Sequence, residues 1–256
     1  MLDFTGKTVV VTGSGAGIGK AIALLFAERG ANLVVNSVRA ETGSDTCREI
    51  VGSRGRQCVF VQGDASAAET AMEIARRAEA TFGGIDVLVN NVGITVCGGV
   101  EEMSEEDFDR LVRTNIKSTF MVSKYVIPLI RRRGGGSIVN LASNIAFRGQ
   151  SQRAAYAATK GAIVAMTRSM AVDLLKDKIR VNCVCPGATY TEKMEERFLF
   201  EGKGDREKGV EYYNNMMPIG RIATGREIAS AVLYAASDDA AYMVGSAVVI
   251  DGGRVM

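Results

Sequence analysis

Tyr156 and Lys160 stand four residues apart in an Ala-rich stretch, a spacing that puts both on one face of a helix. A free phenol titrates at about 10, too high for easy proton exchange near neutrality, but an adjacent ammonium favours its ionised form. The pair can therefore give or take a proton, although Tyr-x-x-x-Lys also occurs in helices that do no chemistry. Ser143 follows the apolar run Ser137–Ala142. A serine just past a strand lies where open α/β sheets bind ligands; a turn or a helix cap is the plainer reading. Asn115 falls inside a helical pattern, where its propensity is poor; a surface polar residue is the plainer reading there. The chain has no histidine. That removes Ser-His-Asp and Cys-His catalysis and most zinc chemistry. No metal is expected, and proton transfer falls to Tyr, Lys, Asp, Glu or water.

These residues need a frame, and the segment Thr12-Gly13-Ser14-Gly15-Ala16-Gly17-Ile18-Gly19 begins it. It follows Thr8-Val9-Val10-Val11 and precedes Lys20–Ala27, which reads as strand, glycine turn, helix. Glycines let the backbone turn tightly and come close to a ligand. The helix N-terminus then presents free N–H groups and partial positive charge, a site suited to a diphosphate.

Strands and helical patterns alternate to the end of the chain. Further strands are expected at 32–37, 58–62, 86–90, 137–142, 180–185 and 247–250. Helices are expected at 40–52, 67–82, 104–131, 152–175 and 226–236. The strand at 86–90 is followed by Ser104, a cap with Asp107 three residues on. Strands apolar on both faces with helices between them imply a parallel sheet covered on both sides. Right-handed crossovers make it doubly wound. The fold class is thus α/β, one Rossmann-type domain over residues 1–256 with seven parallel strands. Residues 188–220 read as a polar, mobile cover for a substrate, with Phe198-Leu199-Phe200, Tyr212-Tyr213 and Met216-Met217 flanking a charged stretch.

The 31 basic and 29 acidic residues leave a net charge of +2, which gives no electrostatic footprint for nucleic acid. No run is long and apolar enough to span a membrane, and the first residues lack the pattern of a secretion signal. A cytoplasmic protein is expected. Five cysteines without a C-x-x-C pair fit that compartment. Cys183 and Cys185 should share one strand face as buried small apolar groups.

Taken together, Thr12-Gly13-x-x-x-Gly17-Ile18-Gly19, Asp64, Asn90-Asn91-x-Gly93, Asn115, Ser143, Tyr156-x-x-x-Lys160, Pro186-Gly187 with Thr191, and Asp251-Gly252-Gly253 carry a resemblance. In this order the chain resembles the short-chain dehydrogenase/reductase family over about residues 5–253, most closely its 3-oxoacyl-thioester reductase branch. The resemblance implies that Asn115, Ser143, Tyr156 and Lys160 are catalytic. Tyr156 would be the acid in carbonyl reduction and the base in alcohol oxidation. Lys160 would favour its ionisation and hold the nicotinamide ribose. Ser143 would bond the substrate oxygen, and Asn115 would hold a water leading from Lys160 to solvent. The resemblance also assigns a nicotinamide cofactor to Gly13, Ser14, Gly15, Gly17, Ile18, Ser37, Arg39, Asp64, Ala65, Asn91, Gly93, Tyr156, Lys160, Pro186, Gly187, Thr189 and Thr191. Asp64 would meet adenine and Asn90 the ribose side. One departure stands out: Val92 replaces the family's usual alanine, which predicts tighter packing beside the adenosine.

The end of the second strand bears on the choice of cofactor. A carboxylate there would accept from the 2′-hydroxyl of NAD. Here Ser37, Val38 and Arg39 offer a hydroxyl and a guanidinium, which favours NADP(H) over NAD(H); Arg39 as a solvated loop residue is the plainer reading. Around the substrate, Ser143, Tyr156, Ile145, Gln150 and Val96 are expected. A ketone and a secondary alcohol would be interconverted, on a 3-oxoacyl thioester or on a sugar, polyol or cyclic alcohol; a cofactor-binding sensor without turnover is the remote alternative. Arg131-Arg132-Arg133 is either favourable charge at a helix end or a dock for an acyl carrier protein. A homotetramer is implied by the resemblance.

Overall fold

The computed structural model describes residues 2–192 and 194–256; Lys193, within the expected cover, lies outside the described residues. Seven strands form one parallel sheet: β1 (Thr8–Val11), β2 (Asn32–Ser37), β3 (Cys58–Gln62), β4 (Val87–Asn90), β5 (Gly136–Leu141), β6 (Ile179–Pro186) and β7 (Ala247–Ile250). Their order is β3-β2-β1-β4-β5-β6-β7. The order reverses between β1 and β4, where Val9, Val10 and Val11 pair with Val87, Leu88 and Val89. A crevice opens there beyond the carboxyl ends of the strands.

The alternation of side chains along each strand feeds two cores. Val9 and Val11 point to one face, with Ile22 and Phe26 of α1 (Gly17–Glu28) and Ile228 and Leu233 of α9 (Gly225–Ala236). Val10 points to the other. There Ile74 of α3 (Ala68–Phe82), Val122 and Ile130 of α5 (Ser118–Arg132) and Leu174 of α6 (Ala154–Leu174) close over it. Cys183 and Cys185 are buried on β6 with their sulfurs 3.9 Å apart, as expected of a shared face. Cys47, on α2 (Ala40–Arg54), is disulfide-bonded to Cys58 at the start of β3. The spacing of Cys47 and Cys58 carries no motif that marks them as partners. Ten residues of helix and turn lie between the two in sequence, and only the packing of α2 on β3 brings them together.

Two elements depart from the sequence pattern. The single helix expected over 104–131 is three pieces: α4 (Glu105–Leu111), a π-helical turn (Val112–Lys117) and α5. Ser104 caps it as expected, accepting from the Asp107 N–H at 3.1 Å. The polar segment expected as a mobile cover contains two helices, α7 (Met194–Glu201) and α8 (Arg206–Asn215). They are held together by Phe198, buried under Tyr190 and Tyr213 with ring centroids 6.3 and 5.6 Å away. Asp205 caps α8 by accepting from the N–H groups of Glu207 and Lys208.

Candidate active site

Gly13 and Gly17 adopt φ of +63° and +54°, conformations that glycine adopts without a Cβ penalty. A Cβ at Gly19 would collide with the Gly13 carbonyl oxygen. At Gly15 it would lie 2.6 Å from the Thr42 hydroxyl and 2.8 Å from that of Ser37. The turn is thus pressed against the end of β2 on one side and its own helix on the other.

From this turn a cavity of about 510 Å³ runs along the carboxyl edge of the sheet. Gly13, Gly15, Gly17, Ile18, Ser37, Arg39, Asp64, Ala65, Asn91, Gly93, Ser143, Tyr156, Lys160, Pro186, Gly187 and Thr191, all singled out in the sequence, line it. At the β2 end the Ser37 hydroxyl accepts from the Arg39 N–H at 3.1 Å and lies 3.4 Å from the Thr42 hydroxyl. Asp64 is positioned by accepting from the Ser66 N–H at 2.8 Å. Asn91 donates to the Thr12 and Gly13 carbonyls at 3.0 and 3.2 Å, so it braces the glycine turn from β4. Val92 also lines the cavity, and a Cβ at Gly13 would stand 3.1 Å from its methyl.

At the other end Ser143 and the Tyr156–Lys160 pair share the cavity wall. Lys160 is buried, donates to the Leu141 carbonyl at 2.8 Å, and sits 6.0 Å from the centre of the Tyr156 ring. The Ser143 hydroxyl accepts from the Ile145 N–H at 3.3 Å. Asn115 is fully buried within the π-helical turn. It accepts from the Ile94 N–H at 2.8 Å, and donates to the Ile94 carbonyl and the Thr159 hydroxyl, each at 3.0 Å. The surface reading of Asn115 is therefore wrong: the wide turn swings its amide inward against the loop after β4. π turns of this kind frequently mark functional sites.

Several expected residues fall elsewhere. Ser14 is fully buried; its hydroxyl donates to the Val11 carbonyl at 2.8 Å and accepts from the Asn36 N–H at 3.1 Å. It ties β1 to β2 and does not line the cavity. Thr189 is turned back on its own loop, its hydroxyl donating to the Gly187 carbonyl at 3.1 Å. Ile145 is buried in packing, Gln150 is exposed and accepts from Arg148 at 2.6 Å, and Val96 lies off the cavity wall. Ile94, Thr95 and Thr114 occupy that part of the lining instead. Asn90 is sealed in the sheet, donating to Asn140 at 2.9 Å and Ser123 at 3.0 Å, so Asn91 alone of the pair reaches the cavity. The three arginines Arg131, Arg132 and Arg133 pair with Asp177, Glu79 and Asp86 at 2.7, 2.6 and 3.1 Å. They do not present free charge.

Two lining residues have no signal in the sequence. Thr42 meets Ser37 because α2 begins immediately beyond β2. Glu192, one residue after Thr191, accepts from the Gly17 N–H at 3.1 Å. That contact also tests whether the site suits a dinucleotide. The first turn of α1 holds a carboxylate, so its N–H groups take an anion, and the cavity has room to continue past Asp64 and Lys160. The residues fit the group. Among the described residues no cluster of acidic, cysteine or histidine side chains could hold a metal ion, and no helix is long and apolar enough to cross a membrane.

Known proteins with this arrangement are similar along the whole chain. Residues 13–254 match the family model described as enoyl-(acyl carrier protein) reductase. An uncharacterized oxidoreductase of Thermotoga maritima is 41% identical over 252 residues, covering 98% of each chain. The 3-oxoacyl-[acyl-carrier-protein] reductase of the same organism is 34% identical over 251 residues, again covering 98% of each. The L-sorbose reductase of Gluconobacter frateurii, solved with NADPH and L-sorbose, superposes with a TM-score of 0.95 at 29% identity, covering 99% of this chain and 98% of that one. Levodione reductase superposes at 0.93 and 30% identity, covering 98% of each. The glycine turn, the seven-stranded order and the cavity shared by Ser143, Tyr156 and Lys160 agree with these matches, and the chain belongs to the short-chain dehydrogenase/reductase family of oxidoreductases.

Proposed function

We propose that this protein interconverts a ketone and a secondary alcohol with NADP(H) in preference to NAD(H). The observation that carries the reading is the placement of Ser143, Tyr156 and Lys160 on one wall of the cavity that starts at the glycine turn. Tyr156 gives its proton to the carbonyl oxygen in reduction and takes it back in oxidation. Ser143 donates a hydrogen bond to that oxygen and fixes its direction. Lys160, anchored on the Leu141 carbonyl, places its positive charge 6.0 Å from the centre of the Tyr156 ring. Asn115 fixes the loop after β4 through Ile94, which keeps Gly93 close to Lys160; a Cβ at Gly93 would stand 3.2 Å from the Lys160 nitrogen. The nicotinamide cofactor supplies the hydride chemistry when bound, held by Gly13–Ile18, Asp64, Asn91, Lys160 and the stretch Pro186–Thr191.

The preference for NADP(H) rests on Ser37, Arg39 and Thr42 at the end of β2, with no carboxylate in that part of the lining. Two hydroxyls and a guanidinium match a 2′-phosphate. Of the substrates, a sugar, polyol or cyclic ketone is favoured over a carrier-bound thioester, since Arg131, Arg132 and Arg133 are already paired. The helices α7 and α8, within 188–220, act as the cover over the substrate. Copies assemble as a tetramer through the apolar side chains that α5 and α6 leave exposed, Phe120 and Val172 among them. Work in the cytoplasm accords with NADP(H) use.

The test is oxidation of NADPH, and in parallel NADH, followed by absorbance with a panel of ketones. Tyr156→Phe should lower kcat by about 10²-fold or more while the variant still binds NADPH by fluorescence. Full activity in that variant would remove Tyr156 as the proton donor.

A further inference from the structure

The hydrogen bonds that hold Asn115 continue past it into the helix that carries Tyr156. Thr159 stands three residues after Tyr156 and immediately before Lys160, and its side chain is buried. A threonine inside a helix commonly turns its hydroxyl back to a carbonyl one turn earlier. Thr159 does so, donating to the Tyr156 carbonyl at 2.8 Å. Its oxygen at the same time accepts from the Asn115 amide at 3.0 Å. The direction of each bond is fixed. The Asn115 oxygen accepts from the Ile94 N–H at 2.8 Å, so its nitrogen is the atom that faces Thr159. The Tyr156 carbonyl can only accept, so the single hydroxyl proton of Thr159 goes there.

The result is a line of bonds from the cavity wall to the phenol. Ile94 lines the cavity in the loop after β4. Asn115 grips that residue through both its N–H and its carbonyl. Thr159 passes the grip to the main chain of Tyr156. Residues 94, 115 and 156–159 are far apart in sequence, yet two buried side chains join them at 2.8 to 3.0 Å. Lys160, the next residue, is held from the other side by the Leu141 carbonyl. A rigid wall would place the substrate and a rigid helix would place the phenol. The bond between Asn115 and Thr159 fixes one against the other.

We infer that Thr159 is a positioning residue for Tyr156. Its hydroxyl ties the helical turn that carries the phenol to Asn115, and through Asn115 to the Ile94 segment of the cavity wall. This rests on the ketone–alcohol reading above and adds a residue on which that chemistry depends. Proton transfer needs the phenol within hydrogen-bond reach of the carbonyl oxygen, and a misplacement of about 1 Å can cost about 10²-fold in rate. Serine supplies the same donor and acceptor. Valine has the shape of threonine but leaves the Asn115 amide without its acceptor and the Tyr156 carbonyl without this donor.

T159V, T159S, N115A and the double variant N115A/T159V test this with NADPH and the ketone of the panel that the wild type turns over best. T159V should lower kcat by about tenfold or more, with KM and the NADPH dissociation constant from fluorescence unchanged. T159S should recover most of the loss. In the N115A background T159V should cost less than it does alone, because the partner through which it acts is gone. Thermal melting keeps each assay below the unfolding of every variant, and T159A takes the place of T159V if the latter does not fold. Wild-type kcat in T159V, a T159S no better than T159V, or full additivity in the double variant overturns the inference. So does a fall in kcat matched by an equal loss of NADPH binding, which marks general loosening. Each of these leaves the oxidoreductase reading standing, since the wild type still turns over. If the wild type oxidises NADPH with no ketone of the panel, that reading falls and this inference with it.

Discussion

Asn115 shows what a single side chain contributes here. Its amide both accepts from and donates to the main chain of Ile94 and also reaches Thr159, with no exposure to water. Asn115→Ala leaves buried polar groups of Ile94 and Thr159 without partners, each loss typically costing about 1–3 kcal/mol. Urea unfolding of N115A should show a stability loss of about 2 kcal/mol or more, and kcat should fall because the loop beside Lys160 is released. Chemical identity at this scale was readable in the sequence wherever a motif fixed both the residue and its direction, as with Tyr156 and Lys160. It was not readable where direction depends on the fold. Ser14 and Gly15 are neighbours in one motif, but one knits β1 to β2 and the other opens on the cavity. Thr42 carried no mark in the sequence, since its partner Ser37 belongs to a different element.

Helices and strands were legible in type because apolar strand runs and amphipathic helices alternate with little ambiguity. The exceptions have physical causes. A π turn has the same composition as an α turn, so the break at Val112–Lys117 left no trace in the pattern. The helices α7 and α8 bury few apolar residues besides Phe198, and their polar exteriors read as loop. Caps offer a clear element-scale prediction. At the start of α9 Thr224 and Glu227 form a reciprocal capping box. Hydrogen bonding from Arg221, and then from the Thr224 backbone, holds the Glu227 carboxyl down at about 2. A depressed carboxyl contributes stability above its unfolded pKa of about 4.3 and loses it as pH falls toward the folded value. The group is largely solvent-exposed, so the contribution is screened and small. In E227Q, the urea midpoint should lie below that of the wild type near neutrality. The gap should narrow as the pH falls from about 4.3 to about 2. A gap that stays constant over this range would assign the stabilisation to packing.

For the whole molecule, a doubly wound parallel sheet with its crevice beyond the carboxyl ends of the strands was legible in the alternation of elements, whereas the strand order and contacts between distant segments were not. The Cys47–Cys58 bond joins a helix to a strand that the spacing of the two residues does not connect. The proposed tetramer belongs to this scale too. Val172 is 78% exposed and Phe120 is 56% exposed on the helices that flank the sheet, a placement expected of a buried contact between copies. Light scattering should give four times the chain mass for the wild type, and a lower mass for V172D at the same protein concentration. A monomer in both would exclude that assembly.

The bond between Glu192 and the Gly17 amide has a consequence for how long a nucleotide stays. A diphosphate at the start of α1 exchanges one negative acceptor for another, so only the difference between the two contributes to its hold. The carboxylate can also return to the amide as the diphosphate leaves, which hastens departure. In E192Q the competitor loses its charge: the NADPH dissociation constant measured by fluorescence should drop several-fold, and the dissociation rate should slow. If nucleotide departure limits turnover, the variant that holds its coenzyme more tightly will be the slower catalyst.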